Sequence, residues 1–525
     1  MFRNLSMIHG HERVNHQILS HTRQLATPII RGYEREVLTC SLPAASLPET
    51  APPSHGTDHP RATPETRRSP MPHHPRTTPR RINPVTLYAF GALGGILFGY
   101  DLGVIAGILV VIAKSWQLSG FQQGVLTASL SVGAMVGAGL AARLTGRIGR
   151  RRTIMAAGGV VIVGTLACAL APGFGALVAF RTVLGLGIGL SSATVPTYLS
   201  ELAPARIRGA MGALNQIFIV SGILIAFLVD YWLQPHHLWR WMFAGALVPA
   251  AVLVAGLRFL PETPRWLVNL GREEEARAVL AATHPTAEVE AELTSIRTVI
   301  RLDAEQTTYR VRELWAPWVR PMLLVALLLA VGQQFSGVNA INAYFPTMLV
   351  SLGLTANTAL FSAVILGITK LAFTAWVVFV VDRWGRKPLL LIGSAVMVVT
   401  LGLTGWVVTH VHDKSTLGTL TVVLLVLYLA GYELGWGAVV WVMMAEVFPL
   451  KARGAGMGVG SVVLWAATGL VTAVYPIMSD RHHLGVGTSM YVFAGVNAVL
   501  LVLTLRLVPE TKGRTLEQIE LGLRG

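Results

Sequence analysis

The chain has 525 residues and a formal charge of +15; 53% of its residues are hydrophobic and 13% are charged. This composition, with a mean hydropathy of +0.57, is too apolar for one or two soluble domains and indicates a polytopic α-helical membrane protein. Nucleic acid is not an expected partner, because the arginines and lysines lie mainly in the tails and in short loops between apolar runs. Cys40 and Cys168 lie far apart, which supports neither a disulfide framework nor a thiolate metal site.

The first 83 residues are rich in proline, histidine, threonine and arginine and have no sustained apolar period. We expect residues 1–83 to be a disordered tail, because such a segment buries too little surface to fold alone. The tail lacks the apolar core of a secretory signal, although an arginine-rich leader could resemble an organellar transit peptide. Met71, which heads the shorter tail MPHHPRTTPRRINP, is an alternative start of translation.

Twelve apolar stretches follow, each long enough for a helix with a rise of about 1.5 Å per residue to cross a bilayer core of about 30 Å. The predicted spans are 84–112, 122–143, 153–171, 173–199, 210–232, 240–260, 321–350, 357–381, 387–409, 419–447, 453–478 and 486–508. They form two bundles of six, within 84–260 and 321–508, and residues 509–525 form a cytoplasmic C-terminal tail.

Between the two bundles, residues 261–320 change to charged amphipathic helix, as in GREEEARAVLAATH. We predict a soluble intracellular helical linker here. The loops after spans 2, 4, 6, 8 and 10 are basic and the alternate loops carry few cations, which predicts that both termini are cytoplasmic. The basic residues are Arg147, Arg150, Arg151, Arg152, Arg206, Arg208, Arg383, Arg386, Lys387, Lys451 and Arg453.

An internal repeat appears in the basic loops. GRIGRRR after span 2 recurs as DRWGRKP after span 8, and Glu201–Gly209 (ELAPARIRG) recurs as Glu446–Gly454 (EVFPLKARG). Generic basic loops would not reproduce the spacing from glutamate to arginine twice. Two copies at equivalent places in two six-helix halves predict a parallel-repeat transporter, with its site between the halves near the membrane midplane.

The first and fourth spans each carry an ionisable residue at membrane depth, Asp101 and Arg181. A charge buried in hydrocarbon costs at least a few kcal/mol, so it normally faces a partner or a water-filled path. Burial favours the neutral acid and a nearby arginine favours the carboxylate, so a modest rearrangement could change the protonation of Asp101. We interpret the two residues as a proton-linked pair; the alternative is a permanent salt bridge that pins span 1 to span 4.

Several motifs resemble the sugar porter family of the major facilitator superfamily, over Asn83 to Gly525. They are PETPRWL at Pro261–Leu267, PETKGRTLEQIE at Pro509–Glu520 and GQQFSGVNAINAY at Gly332–Tyr344, beside the repeated loops. The resemblance implies an all-α membrane fold of twelve helices in two six-helix pseudo-repeat bundles, which rock about a central sugar site. At position 101, family members that are proton symporters carry Asp and passive facilitators usually carry Asn, so the resemblance implies proton coupling.

The resemblance also implies site residues. The expected sugar ligands and cavity-lining residues are Phe98, Gln216, Gln333, Gln334, Asn339, Gly437, Trp441 and Trp465. Tyr344 is the expected gate, with Ala343 in place of a second aromatic residue. The expected cytoplasmic latch of the outward-facing state consists of Arg147, Arg151, Glu201, Arg208, Asp382, Arg383, Arg386, Glu446 and Arg453. Gly146 stands where the family usually has Asp or Asn, which weakens the expected latch of the N-terminal half.

Two charges depart from the usual hexose pattern. Lys370 in span 8 stands where many sugar porters have Asn, and Glu433 lies in the middle of span 10. We predict an ion pair between them, because pairing reconciles two groups that are otherwise expensive to bury. If Lys370 is free instead, it could receive the carboxylate of a sugar acid. Gly435 and Gly437 must supply any bend of span 10, because Ala438 and Val440 replace prolines of the family.

These features predict a proton-coupled symporter for a hexose, a pentose or a related polyol in the plasma membrane, acting as a monomer. No enzyme, cofactor or metal site is expected, because the chain shows no nucleophile-plus-base arrangement and no metal-ligand spacing. The alternatives are a sugar-acid or organic-anion carrier that uses Lys370, a passive sugar facilitator, and a sensor that binds sugar without transport. The short tail after Pro509 argues against the sensor.

Overall fold

The computed structural model describes residues 84–204, 208–305, 311–437, 439–448, 450–480 and 482–512. The expectations for the tail 1–83, for Met71, for Arg206, for Ala438 and for residues 513–525 of the C-terminal tail concern residues outside these ranges. In the described part, twelve spans are long and apolar enough to cross a membrane. The protein is therefore an all-α membrane protein, as the sequence predicts.

Spans 1 to 6 form the N-terminal half, and span 6 is divided into two short helices. The helices of this half are α1 (Pro84–Ser115), α2 (Gly120–Ile148), α3 (Arg150–Ala169), α4 (Phe174–Leu202), α5 (Arg208–Leu233), α6 (Trp239–Ala244) and α7 (Leu247–Leu257). Local sequence explains where some of them begin. Ser119 accepts a hydrogen bond from the backbone N–H of Gln122, and the Gln122 side chain accepts one from the backbone N–H of Ser119. This capping box starts span 2.

Three α-helices follow span 6 in the described part of the linker. They are α8 (Pro264–Asn269), α9 (Glu273–Thr283) and α10 (Val289–Glu305). Apolar residues on their inner faces, among them Trp266, Leu280 and Leu293, form a small separate core. An ion pair between Arg297 and Glu273, at 2.5 Å, joins α10 to α9 on the outer side.

Spans 7 to 12 form the C-terminal half, in which spans 7 and 10 are interrupted. Span 7 consists of α11 (Arg320–Phe335) and α12 (Val338–Ser351), and span 10 consists of α15 (Lys414–Tyr432) and α16 (Val439–Val447). Spans 8, 9, 11 and 12 are the single helices α13 (Ala356–Trp384), α14 (Arg386–His410), α17 (Leu450–Ser479) and α18 (Gly485–Leu507). Gly337 separates α11 from α12 with a φ of +99°, which only glycine adopts without strain.

A π-helical turn, Glu433–Gly437, interrupts span 10. It includes Gly435 and Gly437, the two residues expected to supply the bend of this span. A side chain at Gly435 would meet the carbonyl oxygen of Leu389 at 2.5 Å, so the glycine also allows span 9 to approach closely. Such turns often occur at functional sites, because they redirect side chains locally.

The two halves are packed most tightly at the end of the bundle that contains Gly120 and Pro476. We call it the opposite end, because it lies opposite the end that carries the basic loops. A Cβ at Gly124 would overlap the carbonyl oxygen of Ala473, and one at Gly120 would lie 2.9 Å from that of Pro476. Further along span 2, a Cβ at Gly139 would meet only Val462, at 3.8 Å. The approach of span 2 to span 11 therefore loosens toward the other end, which we call the basic end and define by Arg150 and Arg386.

Candidate functional site

The repeated motifs come together at the basic end, once in each half. The Glu262 carboxylate accepts hydrogen bonds from the backbone N–H groups of Arg150 (3.0 Å) and Arg151 (3.1 Å), at the start of span 3. The Glu510 carboxylate accepts them from the N–H groups of Arg386 (3.1 Å) and Lys387 (3.0 Å), at the start of span 9. Each acid thus lies at a helix N-terminus, where free N–H groups and the helix dipole favour negative charge.

The environment of Glu510 sets its acidity. Partial burial opposes ionisation, but hydrogen bonds from the backbone N–H groups of Lys512, Arg386, Lys387 and Thr511 outweigh that effect and hold the pKa of Glu510 below its usual range. Glu510 is therefore charged near neutral pH, and the motif after span 12 is tied to the start of span 9.

The latch glutamates pair with arginines in both halves, but not with all the expected ones. Arg386 lies 3.4 Å from Glu446, while Glu201 is bound at 3.0 Å by Arg150 rather than by Arg147 or Arg151. The Nε of Arg151 donates instead to the carbonyl oxygen of Leu257, so that this arginine holds the end of span 6.

The remaining latch residues lie in different environments. Arg147 is exposed, and Arg383 is exposed as well. Arg453 is half-buried and lies within electrostatic range of Glu446. The side chains of Arg208 and Asp382 lie outside the described part of the structure. Both ion pairs join residues of the same half, so the conformer shows each half-latch formed within its own bundle.

Asp101 and Arg181 are both buried, and they are not in contact. Asp101 is 1% exposed, and among the described residues neither of its carboxylate oxygens has a hydrogen-bond partner. Arg181 is fully buried; its Nε donates to the carbonyl oxygen of Leu126 at 3.2 Å, and its guanidinium lies 5.8 Å from the ring centroid of Phe243. The guanidinium remains within electrostatic range of Asp101. This conformer therefore does not contain the salt bridge between Asp101 and Arg181 that was the alternative interpretation.

One cavity between the halves brings together every predicted ligand and cavity-lining residue, which are Phe98, Gln216, Gln333, Gln334, Asn339, Lys370, Glu433, Gly437, Trp441 and Trp465. Phe98 of span 1 and Trp465 of span 11 pack across the cavity with ring centroids 5.3 Å apart. Aromatic faces beside amide groups are what a hydroxyl-rich solute with apolar C–H faces requires.

The amides of span 7 form a chain of hydrogen bonds. Gln333 Nε2 donates to the carbonyl oxygen of Trp436 at 2.6 Å, in the π-helical turn. Gln334 Nε2 donates to Gln333 Oε1 at 3.1 Å, and Asn339 Nδ2 donates to Gln334 Oε1 at 2.5 Å. In this conformer Gln333 therefore binds the interrupted part of span 10, and Gln334 and Asn339 continue the chain of hydrogen bonds.

The predicted ion pair between Lys370 and Glu433 is present, with the Lys370 Nζ atom 3.3 Å from Glu433 Oε1. Thr374 donates a hydrogen bond to Glu433 Oε2 at 3.0 Å, and Lys370 Nζ lies 3.5 Å from the side-chain oxygen of Asn342 and 5.9 Å from the ring centroid of Tyr432. Lys370 and Glu433 are 3% and 1% exposed, so their opposite charges compensate each other in a place where water cannot.

Tyr344 lies where the two halves meet. Its hydroxyl group is 3.1 Å from the carbonyl oxygen of Gln123 in span 2 and 3.0 Å from that of Thr472 in span 11. Its ring packs on Tyr475 with centroids 5.4 Å apart. Tyr344 therefore belongs to the closed, opposite end in this conformer.

Two buried polar residues escaped the sequence interpretation. Asn342 lines the cavity beside Lys370, and a further amide three residues after Asn339 was the signal for it. Asp230 in span 5 is fully buried, and its Oδ2 accepts a hydrogen bond from the backbone N–H of Gly107 at 2.9 Å. The rule that singled out Asp101, an acid within an apolar span, applies equally to Asp230.

Two six-helix halves around one central polar cavity are the arrangement of a membrane transporter whose substrate site lies between its halves. A model of the family described as "Sugar (and other) transporter" matches residues 87–523. The chain is 40% identical over 438 residues to "Probable metabolite transport protein CsbC" of Bacillus subtilis, covering 83% of this chain and 94% of that protein. It is 36% identical over 435 residues to the "Galactose-proton symporter" of Escherichia coli, covering 82% and 92%.

A solved structure of a sugar transporter has a similar fold. The inward open conformation of the xylose transporter XylE from E. coli has a TM-score of 0.71 and 27% identity, covering 84% of this chain and 99% of that one. The chain belongs to the sugar porter family of the major facilitator superfamily. It is accordingly a multi-pass membrane transporter of sugars and not an enzyme.

Proposed function

We propose that this protein is a proton-coupled symporter that moves a neutral monosaccharide, a hexose or a pentose, or a related polyol across the plasma membrane. The observation that carries the proposal is Asp101, an acid with two unbonded oxygens, buried near an arginine that it does not touch. A carboxyl group held in this way is open to protonation, whereas a fully bonded carboxylate would be fixed in the charged form. The name of the galactose-proton symporter relative supports proton coupling.

The distribution of charge supports a cytoplasmic basic end, and with it cytoplasmic termini. Under this orientation the closed, opposite end faces outward, and the more loosely packed basic end faces the cytoplasm. The candidate ligands and the Asp101–Arg181 pair all come from one chain, which supports function as a monomer.

The transport cycle follows from these positions. In the outward-facing state Asp101 binds a proton, which removes its attraction to Arg181 and allows span 1 to move relative to span 4. Sugar hydroxyls bind to Gln216, Gln334, Asn339 and Trp441, and the halves then close at the opposite end as Tyr344 reaches spans 2 and 11. After the sugar leaves, Asp101 releases its proton to the cytoplasm, and the charged acid and Arg181 attract each other again.

A sugar-acid carrier is the second candidate, because Lys370 is a buried cation in the cavity. The distance of 3.3 Å to Glu433 argues against it. An incoming carboxylate would have to displace Glu433 or place two anions beside one cation, and either arrangement is expensive in a low-dielectric site.

The test uses purified protein in liposomes with an imposed pH gradient, acidic outside. Labelled D-glucose, D-galactose, D-xylose, myo-inositol and D-glucuronate are compared. We expect at least one neutral solute to accumulate above its external concentration, with alkalinisation of the medium, and glucuronate not to accumulate. Uptake that stops at equal concentrations would identify a passive facilitator, and accumulation of glucuronate alone would identify the anion carrier.

A further inference from the structure

Span 1 carries a glycine every fourth residue along the face that meets span 5. A Cβ on any of these glycines would press on span 5: Gly95 on Asn215, Gly99 on Ile219, Gly103 on Ile223 and Ala226, and Gly107 on Asp230. Residues four apart lie on one helix face, so the stripe brings the backbones of spans 1 and 5 into direct contact. Asp101 lies on the same helix, between Gly99 and Gly103.

The last contact of this stripe differs from the others, because it is polar. Asp230 is fully buried, its Oδ2 accepts the Gly107 N–H at 2.9 Å, and its Oδ1 has no hydrogen-bond partner in the part of the chain that the structure describes. In the described part of the chain, no lysine, arginine or histidine lies within ion-pair distance of the Asp230 carboxyl group. An ionised carboxylate with one backbone hydrogen bond and no cation is strongly disfavoured in such a place.

From this arrangement we infer that Asp230 is a positioning residue for the proton site. In its neutral form it anchors span 1 to span 5 through Gly107, and thereby fixes where Asp101 lies relative to Arg181. The inference rests on the proposed role of Asp101. From Asp101 to Gly107 the helix rises about 9 Å, six residues at about 1.5 Å each, so displacement at Gly107 is transmitted along a rigid helix.

Other titratable groups on the neighbouring elements have different partners. On span 1, Tyr100 lies within electrostatic range of both Asp230 and Asp101, and its hydroxyl group donates to the carbonyl oxygen of Met242 at 2.7 Å. In span 4 Arg181 donates to Leu126, in span 8 Lys370 pairs with Glu433, and in α6 Arg240 donates to the carbonyl oxygen of Ala169. Tyr231 on span 5 packs against Phe361, and the buried Cys168 on span 3 lies within electrostatic range of Arg181 and Asp101. Asp101 and Tyr100 are thus the groups that a change at Asp230 affects first.

The test compares Asp230→Asn, which keeps the shape and the acceptor and is always neutral, with Asp230→Leu, which has no acceptor. Uptake of labelled D-galactose or D-xylose, whichever the wild type accumulates, is measured against external pH. We expect the Asn variant to keep the wild-type pH midpoint. The Leu variant should shift the midpoint by about one pH unit, a tenfold change in proton affinity, toward higher pH. The reason is that a displaced Asp101 is attracted less by Arg181.

Gly107→Ala provides a second variant if the Leu variant does not fold. Its methyl group would press on the Asp230 carboxyl group and displace span 1 at the same point, so it should shift the midpoint in the same direction. Gly159→Ala, where a Cβ meets no atom within 4 Å, is the matched control and should leave the profile unchanged.

Two results would overturn the inference. If the Asn variant shifts the midpoint as much as the Leu variant, Asp230 itself carries the proton or the charge. If the Leu and Gly107→Ala variants both fold and keep the wild-type midpoint, Asp230 does not position Asp101. A wild-type protein that shows no response to the pH gradient would instead contradict the proposed coupling, and that result is separate from both.

Discussion

The two halves of the protein each bury an acid and a base near the central cavity, and they arrange them differently. In the C-terminal half Lys370 and Glu433 lie 3.3 Å apart, and Thr374 also binds the acid. In the N-terminal half the carboxylate oxygens of Asp101 accept no hydrogen bond from any described residue, and Arg181 binds a carbonyl group and faces an aromatic ring instead. The first pair is compensated and holds the charge state of both partners. The second is separated, so that a proton can take the place of the counter-charge.

The largest expected effect comes from breaking the separated pair. Asp101→Asn keeps the size of the side chain but cannot exchange a proton. We expect the accumulation ratio driven by a pH gradient to fall to about one, because uptake can no longer draw on the gradient, while counterflow of labelled sugar continues. Both are measured in liposomes with equal protein content.

Glu274→Gln, the same kind of change on an exposed linker helix, is the control and should behave as the wild type. If Asp101→Asn still concentrates sugar when only a pH gradient is applied, the separated pair is not the coupling site.

Breaking the compensated pair should affect folding before transport. Lys370→Met leaves Glu433 buried without its cation, which we expect to cost about 3–5 kcal/mol of stability. Lys370→Met with Glu433→Gln removes both charges and should recover most of that loss. Thermal unfolding in detergent gives the comparison. Equal stability of the single and double variants would show that the two charges do not compensate each other.

The separated pair is seen in a conformer that is closed at the opposite end, and closure can be opposed directly. Gly124→Ala puts a methyl group against the carbonyl oxygen of Ala473. Overpacking of this kind typically costs about 1–3 kcal/mol, so we expect counterflow to slow by about fivefold or more. Gly139→Ala on the same helix, with Val462 at 3.8 Å, should have little effect. If both variants slow counterflow equally, the contact at Gly124 is not the point of closure.

A smaller effect is expected where the two halves are alike. Glu262→Gln and Glu510→Gln each weaken a carboxylate contact with a helix N-terminus and should cost about 0.5–1 kcal/mol. Since the pKa of Glu510 is lower in the folded protein than its usual value, its contribution is present above that usual value and is lost as the pH falls through the lowered one. The free energies of unfolding of the wild type and of Glu510→Gln should therefore converge as the medium becomes strongly acidic. A difference between the two free energies of unfolding that stays constant down to low pH would contradict this.

Hydrophobicity alone located all twelve spans, but it marks the apolar stretch and not the whole helix. Span 2 was predicted over 122–143, and the helix runs from Gly120 to Ile148. Its start was readable from the capping box of Ser119 and Gln122, whereas its polar last turns carry no hydrophobic signal. The signal for the interruption of span 7 is also present in the sequence, as Gly337 within GQQFSGVNAINAY.

Within the site, the pair of Lys370 and Glu433 was predictable, because two isolated charges in apolar spans must find partners. The choice of Arg150 over Arg151 as the partner of Glu201 was not, since neighbouring residues on a helix differ by about 100° in direction and only the packing of span 3 decides between them. The separation of Asp101 from Arg181 likewise depends on the conformer. Asp230 was missed although the same rule applied to it.

The protonation of Asp101 is tested most directly by infrared difference spectroscopy of the purified protein, recorded on addition of a transported sugar at near-neutral pH. We predict that the wild type shows a change in the band of protonated carboxyl groups and that Asp101→Asn lacks this change. An identical band in both proteins would assign the proton to another acid and contradict the account.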